Sequence, residues 1–178
     1  MDFYEVIEKR KSIRKYKPDL PPPEMIDRIL RAAWRAPTWA NMQGCRYIVV
    51  RDSEKVAAVK KGIEQQKWTQ AAPMFIVVTI KPQDSGTGKH GIPYFTVDAG
   101  ICTEHLVLAV TAEGLGTCWV GFFDEKIIQS ALNIPVEERV IAVLPLGFPA
   151  HDPSKTDRKP MKRLFFLDEY GKPWPTKE

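Results

Sequence analysis

The chain has 178 residues, 44% hydrophobic and 27% charged, with a formal net charge of +4. That length suits one domain burying roughly 70% of the surface its unfolded form exposes, and the composition excludes a disordered chain. Apolar runs fall short of the roughly 20 residues of a membrane span. Acidic residues Asp2, Glu5 and Glu8 interrupt any apolar leader, so a cytoplasmic protein with no membrane partner is expected. The mild positive charge suits an anionic ligand without demanding nucleic acid, and no nucleic-acid partner is expected.

The opening "DFYEVIEKR" (2–10) reads as a helix capped by Asp2, with Glu5 at capping-box spacing and Phe3, Val6 and Ile7 on one face. The chain then turns extended through Ser12–Tyr16, and Pro18 prevents a return to helix. A second helix follows over 21–36, with Pro23 in its first turn and Ile26, Ile29, Leu30 and Ala33 as its buried stripe. "RYIVV" (46–50) is a strand, a polar helix covers about 54–67, and "MFIVVTI" (74–80) is a buried central strand. The Gly-rich polar stretch 81–94 is long for a loop and is a candidate lid.

Residues 96–113 form the most apolar helix, expected to be buried all round in a large core or at a subunit interface. "TCWV" (117–120) is a short strand, Asp124 caps a helix over about 125–132, and "VIAVLPL" (140–146) is another buried strand. The tail from Phe148 carries five of the fifteen prolines and reads as an extended arm. Residues 1–178 thus make one α+β domain, with 148–178 as its C-terminal arm. Cys45, Cys102 and Cys118 are an odd set without close spacing, and His90, His105 and His151 lie far apart. Neither a disulfide framework nor a metal site is expected.

Four stretches carry chemistry. In "EKRKSIRKYK" (8–17) six of ten residues are basic. Strand alternation would turn Ser12, Arg14 and Tyr16 one way and Ile13 and Lys15 the other. Arg10, Ser12 and Arg14 would then converge on one anion, with Arg as a bidentate donor to phosphate oxygens. The alternative is a solvated basic face. In "RAPTWANMQGCRYIVV" (35–50), Thr38, Asn41 and Gln43 offer small polar groups suited to a polyol chain or a heterocycle edge, or serve as ordinary turn residues. In "GLGTCWVGFF" (114–123), glycines flank a strand where a ligand can approach backbone closely, and Trp119 and Phe122 can pack on a planar ring or in a core. "TDRKPMKRLFF" (156–166) adds Arg158 and Lys159 as a second basic group.

Together these stretches resemble the FMN-dependent nitroreductase family, through "KRKSIRKY", "APTWANMQGCRYIVV", "GLGTCWVGFFDE" and "RKP" in order, with "WTQAAPMFIVV" and "DAGICTEHLVLAV" between them. The resemblance implies a mostly antiparallel sheet flanked by helices. It implies an intertwined homodimer with the long central helix in the interface, the C-terminal arm reaching across, and FMN in each of two interfacial sites. Arg10, Lys11, Ser12 and Arg14 would hold the phosphate and the pyrimidine side of the flavin. Pro37, Thr38, Trp39 and Asn41 would come from the other subunit. Gly121, with Trp119 and Phe122 beside it, would present backbone N–H groups to the ring. Arg158 and Lys159 would return to the phosphate, and Gln65 would lie at the pyrimidine edge. No side chain is assigned as catalytic, because the cofactor carries the chemistry.

The implied activity passes hydride from NAD(P)H through flavin to a small electron-poor acceptor (nitroaromatic, quinone or enone) by ping-pong turnover. Where the family's loop has Pro-Ser-Ser and Gln-Pro-Trp, this chain has Pro37-Thr38-Trp39 and Gln43-Gly44-Cys45. Trp39 and Phe122 are expected to narrow the pocket over the ring. Other readings are reductive dehalogenation or flavin breakdown on the same fold, a flavin store or redox sensor, and a basic nucleic-acid module whose affinity would fall steeply with salt.

Overall fold

In the computed structural model, which describes residues 1–175, four strands form one antiparallel sheet in the order β1-β2-β4-β3: β1 (Cys45–Val50), β2 (Met74–Ile80), β3 (Gly116–Thr117) and β4 (Arg139–Gly147). All seven residues of β2 are buried, as its uninterrupted apolar run requires of a central strand covered on both faces. Its period-2 alternation sorts the core. Phe75 and Val77 point into one layer with Val59, Ile128 and Val143. Met74, Ile76 and Val78 point into the other with Ile29, Leu106 and Val110.

The first layer is closed by α3 (Ser53–Gly62) and α5 (Glu125–Leu132), the second by α2 (Pro23–Trp34) and α4 (Phe95–Ala112). Asp52 caps α3 through the N–H groups of Glu54 and Lys55, and Asp124 caps α5 through that of Ile127. The helix expected to reach residue 67 stops at Gly62. There α5 crosses so closely that a Cβ on Gly62 would lie 2.5 Å from Ile128 Cδ1, and the chain continues through a 3₁₀ turn over Lys67–Ala71.

α1 (Phe3–Lys9) has the expected capping box: the Asp2 carboxylate accepts from Tyr4 and Glu5, and Glu5 accepts from the Asp2 N–H. Of its apolar face only Val6 is buried; Phe3 and Ile7 are exposed. The following segment is extended. Ser12 pairs in parallel with Thr117, and Lys17 N–H donates to Phe148 O. The alternation expected there is broken, because Ile13 and Tyr16 are both buried and the Tyr16 hydroxyl donates to Ile13 O. Both side chains join the same core layer, and Arg14 and Lys15 are left exposed.

The strand expected over 117–120 is confined to Gly116–Thr117, with Val120 rejoining β4 by an isolated bridge to Val143. The stretch between leaves the ladder, and Trp119 is exposed. α4 is buried on one side only. Asp98, Cys102, Leu106 and Val110 face the protein, whereas Val97, Ile101 and Glu104 are exposed. It is 18 residues long with mean hydropathy 1.3. Beyond Phe148 the described tail is mostly exposed, with one 3₁₀ turn over Met161–Arg163.

Candidate functional site

The two basic groups, more than 140 positions apart in sequence, line one cleft of about 480 Å³. Arg10, Lys11, Ser12 and Arg14 form one wall; Ser154, Lys155, Thr156 and Arg158 come from the tail. Three features build it. The capped α1 ends at Arg10, delivering that side chain at the turn into the extended segment. Ser12 is fixed by pairing with Thr117, and the Ile13 N–H donates to Thr117 O at 2.9 Å. That approach depends on Gly116, where a Cβ would lie 2.7 Å from Ile13 Cγ1. Gly116 therefore serves packing, not a ligand.

The tail is held at the cleft by two ion pairs, Lys11–Asp152 and Lys155–Glu8, each at 2.8 Å. Lys155 holds the Glu8 carboxyl below its ordinary range. Arg10, Arg14 and Arg158 make no ion pair among the described residues. Glu8 also borders the cleft but is taken up by Lys155. Guanidinium groups gathered without carboxylate partners of their own repel one another, and their donors fit the oxygens of a doubly charged phosphate ester. Lys159 is exposed and does not line the cleft.

The guanidinium of Arg14 lies 5.6 Å over the Trp68 ring, a cation–π contact that orients the cation. Trp68 Nε1 in turn donates to Gln66 Oε1 at 3.0 Å. The sequence assigned Trp68 no role. Gln65 and Phe122 border a second, smaller cleft of about 260 Å³ beside Asp124. Gly121 has only Trp119 near its missing Cβ, at 3.8 Å. No packing contact accounts for a glycine there, and its exposed backbone is accessible to a ligand edge.

Pro37, Thr38, Trp39 and Asn41 do not line the basic cleft. They belong to a separate loop nest over β1. Ala40, Asn41 and Gln43 all have positive φ, at 43°, 57° and 54°, a conformation that costs non-glycine residues roughly 1–2 kcal/mol each. Hydrogen bonds hold it: Gln43 N–H donates to Thr38 Oγ1 at 2.9 Å and Asn41 N–H to Thr38 O at 3.0 Å. The anchor is Asp98, only 1% exposed. Its Oδ1 accepts from the Trp39 N–H at 2.8 Å, and its Oδ2 accepts from Ser85 Oγ at 2.7 Å.

The 81–94 segment is thereby tied down as the wall behind Trp39. Tyr94 lies 4.5 Å from the Trp39 ring, and Gly86 is so close that a Cβ there would lie 2.0 Å from Trp39 Nε1. Arg46 fastens the start of the segment through Asp84 at 2.7 Å. Asp98 carries a sequence signal of its own. A single carboxylate on the apolar face of a helix must find donors.

Comparison with known proteins bears on the family and the fold. The nitroreductase family profile matches residues 7–66 and 59–148. A protein of Methanothermobacter thermautotrophicus named "Putative NADH dehydrogenase/NAD(P)H nitroreductase" is 34% identical over 162 residues, covering 88% of this chain and 82% of that one. An iodotyrosine deiodinase of Thermotoga neapolitana is 25% identical over 172 residues, covering 83% and 88%. Among solved structures, a nitroreductase family protein of Clostridium novyi NT superposes with a TM-score of 0.79 at 35% identity, covering 98% and 97%. An FMN-dependent nitroreductase of Clostridium difficile R20291 does so at 0.77 and 25%, covering 87% and 92%. The α+β sheet, the order of the motifs and these likenesses agree over nearly the whole chain, which belongs to the nitroreductase family.

Proposed function

We propose that the protein is an FMN-dependent oxidoreductase that takes hydride from NADH or NADPH and reduces a small electron-poor acceptor by ping-pong turnover. The observation that carries this reading is the cleft where Arg10, Ser12, Arg14 and Arg158 converge, the three arginines without carboxylate partners among the described residues. These donors fit the terminal phosphate of FMN. The names of relatives as NADH dehydrogenase/NAD(P)H nitroreductase and as FMN-dependent nitroreductase support the donor and the cofactor. When bound, FMN supplies the hydride acceptor and donor chemistry.

The chain's residues then bind and orient. Arg10, Lys11, Ser12 and Arg158 hold the phosphate, with Lys159 as an outer cation. Arg14, steered by Trp68, offers a fixed positive charge toward the ring, where a preorganised cation stabilises developing negative charge. Gly121 offers accessible backbone, and Trp119, Phe122 and Gln65 line the approach.

The reading includes a homodimer. The nest carrying Pro37, Thr38, Trp39 and Asn41 lies apart from the basic cleft in one chain, and a second copy would bring it to the ring. The exposed apolar residues Val97 and Ile101 of α4 suit the interface, and the arm from Phe148, mostly exposed through residue 175, suits a crossing segment.

The test is the visible spectrum of purified protein, before and after anaerobic NADH or NADPH. Flavin bands that bleach with one donor support the reading and identify that donor. Colourless protein that cannot be reconstituted with FMN overturns it. The likeness to iodotyrosine deiodinase favours one second reading, reductive dehalogenation on the same site. Iodide release from iodotyrosine, faster than reduction of any quinone or nitroaromatic, would select it.

A further inference from the structure

A small cavity of about 100 Å³ lies under the loop nest, bordered by Ala33, Thr38, Gln43, Cys45, Tyr47 and Cys102. Cys45 opens β1 and is half-buried; Cys102 lies on the protein-facing side of α4 and is buried. We propose that Cys45 and Cys102 are a redox-active dithiol site, oxidised by hydrogen peroxide as a pair to a disulfide that fastens the 37–45 loop to α4.

Three observations carry the assignment. First, the two thiols share one cavity, whereas Cys118 lies elsewhere in the core, near the Trp119 carbonyl. Second, their environments push them apart. The Cys45 thiol lowers the Cys102 pKa, helped by the Tyr47 hydroxyl and opposed by burial, while the neighbouring Cys102, together with burial, pushes Cys45 up. One acidic thiol beside one protonated thiol is the arrangement of an attacking sulfur and its resolving partner. Third, size selects the oxidant. A water occupies about 30 Å³ in the liquid, so the cavity admits peroxide and excludes a peptide-sized disulfide.

The step balances. The Cys102 thiolate attacks one peroxide oxygen and the O–O bond breaks. The second oxygen leaves as water after taking a proton, and Cys102 becomes a sulfenic acid. The Cys45 sulfur then attacks the Cys102 sulfur. The S–O bond breaks, the Cys45 proton leaves with the hydroxyl as a second water, and the S–S bond forms. Two thiols are oxidised and one peroxide is reduced.

The location gives the bond a consequence. Cys102 stands one helical turn beyond Asp98, which holds the Trp39 N–H, and Cys45 stands two residues beyond Gln43, which closes on Thr38. A disulfide would add a covalent tie beside those hydrogen bonds and stiffen the loop assigned above to the flavin. That consequence rests on the proposed function; the thiol chemistry does not.

The experiment treats the intact purified protein with equimolar hydrogen peroxide, then counts thiols and maps peptides without reduction. Expected are loss of two of the three thiols, a Cys45–Cys102 linked peptide, and full recovery with dithiothreitol. In Cys45→Ser, dimedone added as the oxidised protein is unfolded should trap a sulfenic acid on Cys102, and Cys118→Ser should behave as wild type. Oxidation of Cys118 as fast as Cys102, sulfinic acid on Cys102 without a disulfide, or a link between two chains would each overturn the proposal. Flavin absorbance is read on the same sample. Protein that stays colourless after reconstitution with FMN but still forms the disulfide would defeat the flavin reading alone, and yellow protein that forms none would defeat the dithiol alone.

Discussion

The basic cleft and the loop nest solve opposite problems. The cleft gathers cations from both ends of the chain and leaves three arginines without carboxylate partners among the described residues. The nest does the reverse: its strained backbone at Ala40, Asn41 and Gln43 is held by internal hydrogen bonds and by buried Asp98. A site whose charges do not balance internally is built around something else. A loop whose polar groups are satisfied internally is built to keep a shape. Changes in the cleft should therefore cost binding with little change in stability, and changes in the nest should cost stability first.

The largest effect is expected from Arg10→Ala combined with Arg158→Ala. A hydrogen bond to a charged group contributes about 1.5–3 kcal/mol, so each loss should weaken FMN binding about tenfold to a hundredfold. Flavin fluorescence titration measures this. The melting temperature of the cofactor-free protein should hold or rise, because like charges are removed. A double variant that binds FMN like wild type would return these residues to ordinary surface.

Next is Asp98→Ala, which leaves the Trp39 N–H and the Ser85 hydroxyl without their acceptor. Two such losses cost about 2–4 kcal/mol, or about 5–15 °C in melting temperature for a chain of this size. Asp98→Asn keeps one acceptor oxygen and should lose about half as much. If the alanine variant melts with wild type, the nest is held by something other than this carboxylate.

The two regions also differ in how far the sequence disclosed them. That residues 10–14 and Arg158 line one cleft was implied by the family resemblance and by no local pattern. The charge cluster was legible, because a run of basic residues is a local fact. The central strand, the caps at Asp2 and Asp124 and the two-sided core followed from period and composition for the same reason. The facing of Tyr16 was not legible, because tertiary packing draws it to the side of Ile13. Nor was the role of Gly116, which answers to a side chain about a hundred positions away. The tail's Ser154, Lys155 and Thr156 reach the cleft through ion pairs with α1 and its extension, which no local pattern announces.

A smaller effect separates placing a cation from merely having one. Trp68→Leu keeps Arg14 but removes the ring beneath it. An exposed cation–π contact contributes about 0.5–1 kcal/mol, so FMN affinity should fall about threefold. If Arg14 acts near the ring, the flavin reduction potential should also shift downward, since a loosened cation stabilises the reduced form less. An unchanged potential with weakened binding would place Arg14 at the phosphate instead.

The smallest expected effect tests how the cleft is closed. Glu8 meets Lys155 at the surface, and its carboxyl is held below the ordinary value of 4.5. A carboxyl whose folded pKa is lowered stabilises the folded arrangement above its unfolded pKa, and that contribution disappears as pH falls through the lowered value. Acid should therefore release the 153–158 segment in the wild-type protein. Glu8→Gln should release it already at pH 7, with no further change on acidification from this pair. Exposed pairs are weak, so hydrogen exchange in this segment, corrected for intrinsic rates, should rise about twofold while the global melting temperature stays unchanged. If exchange at pH 7 is the same in both proteins, Lys11–Asp152 alone keeps the tail at the cleft, and Lys11→Met becomes the variant that opens it.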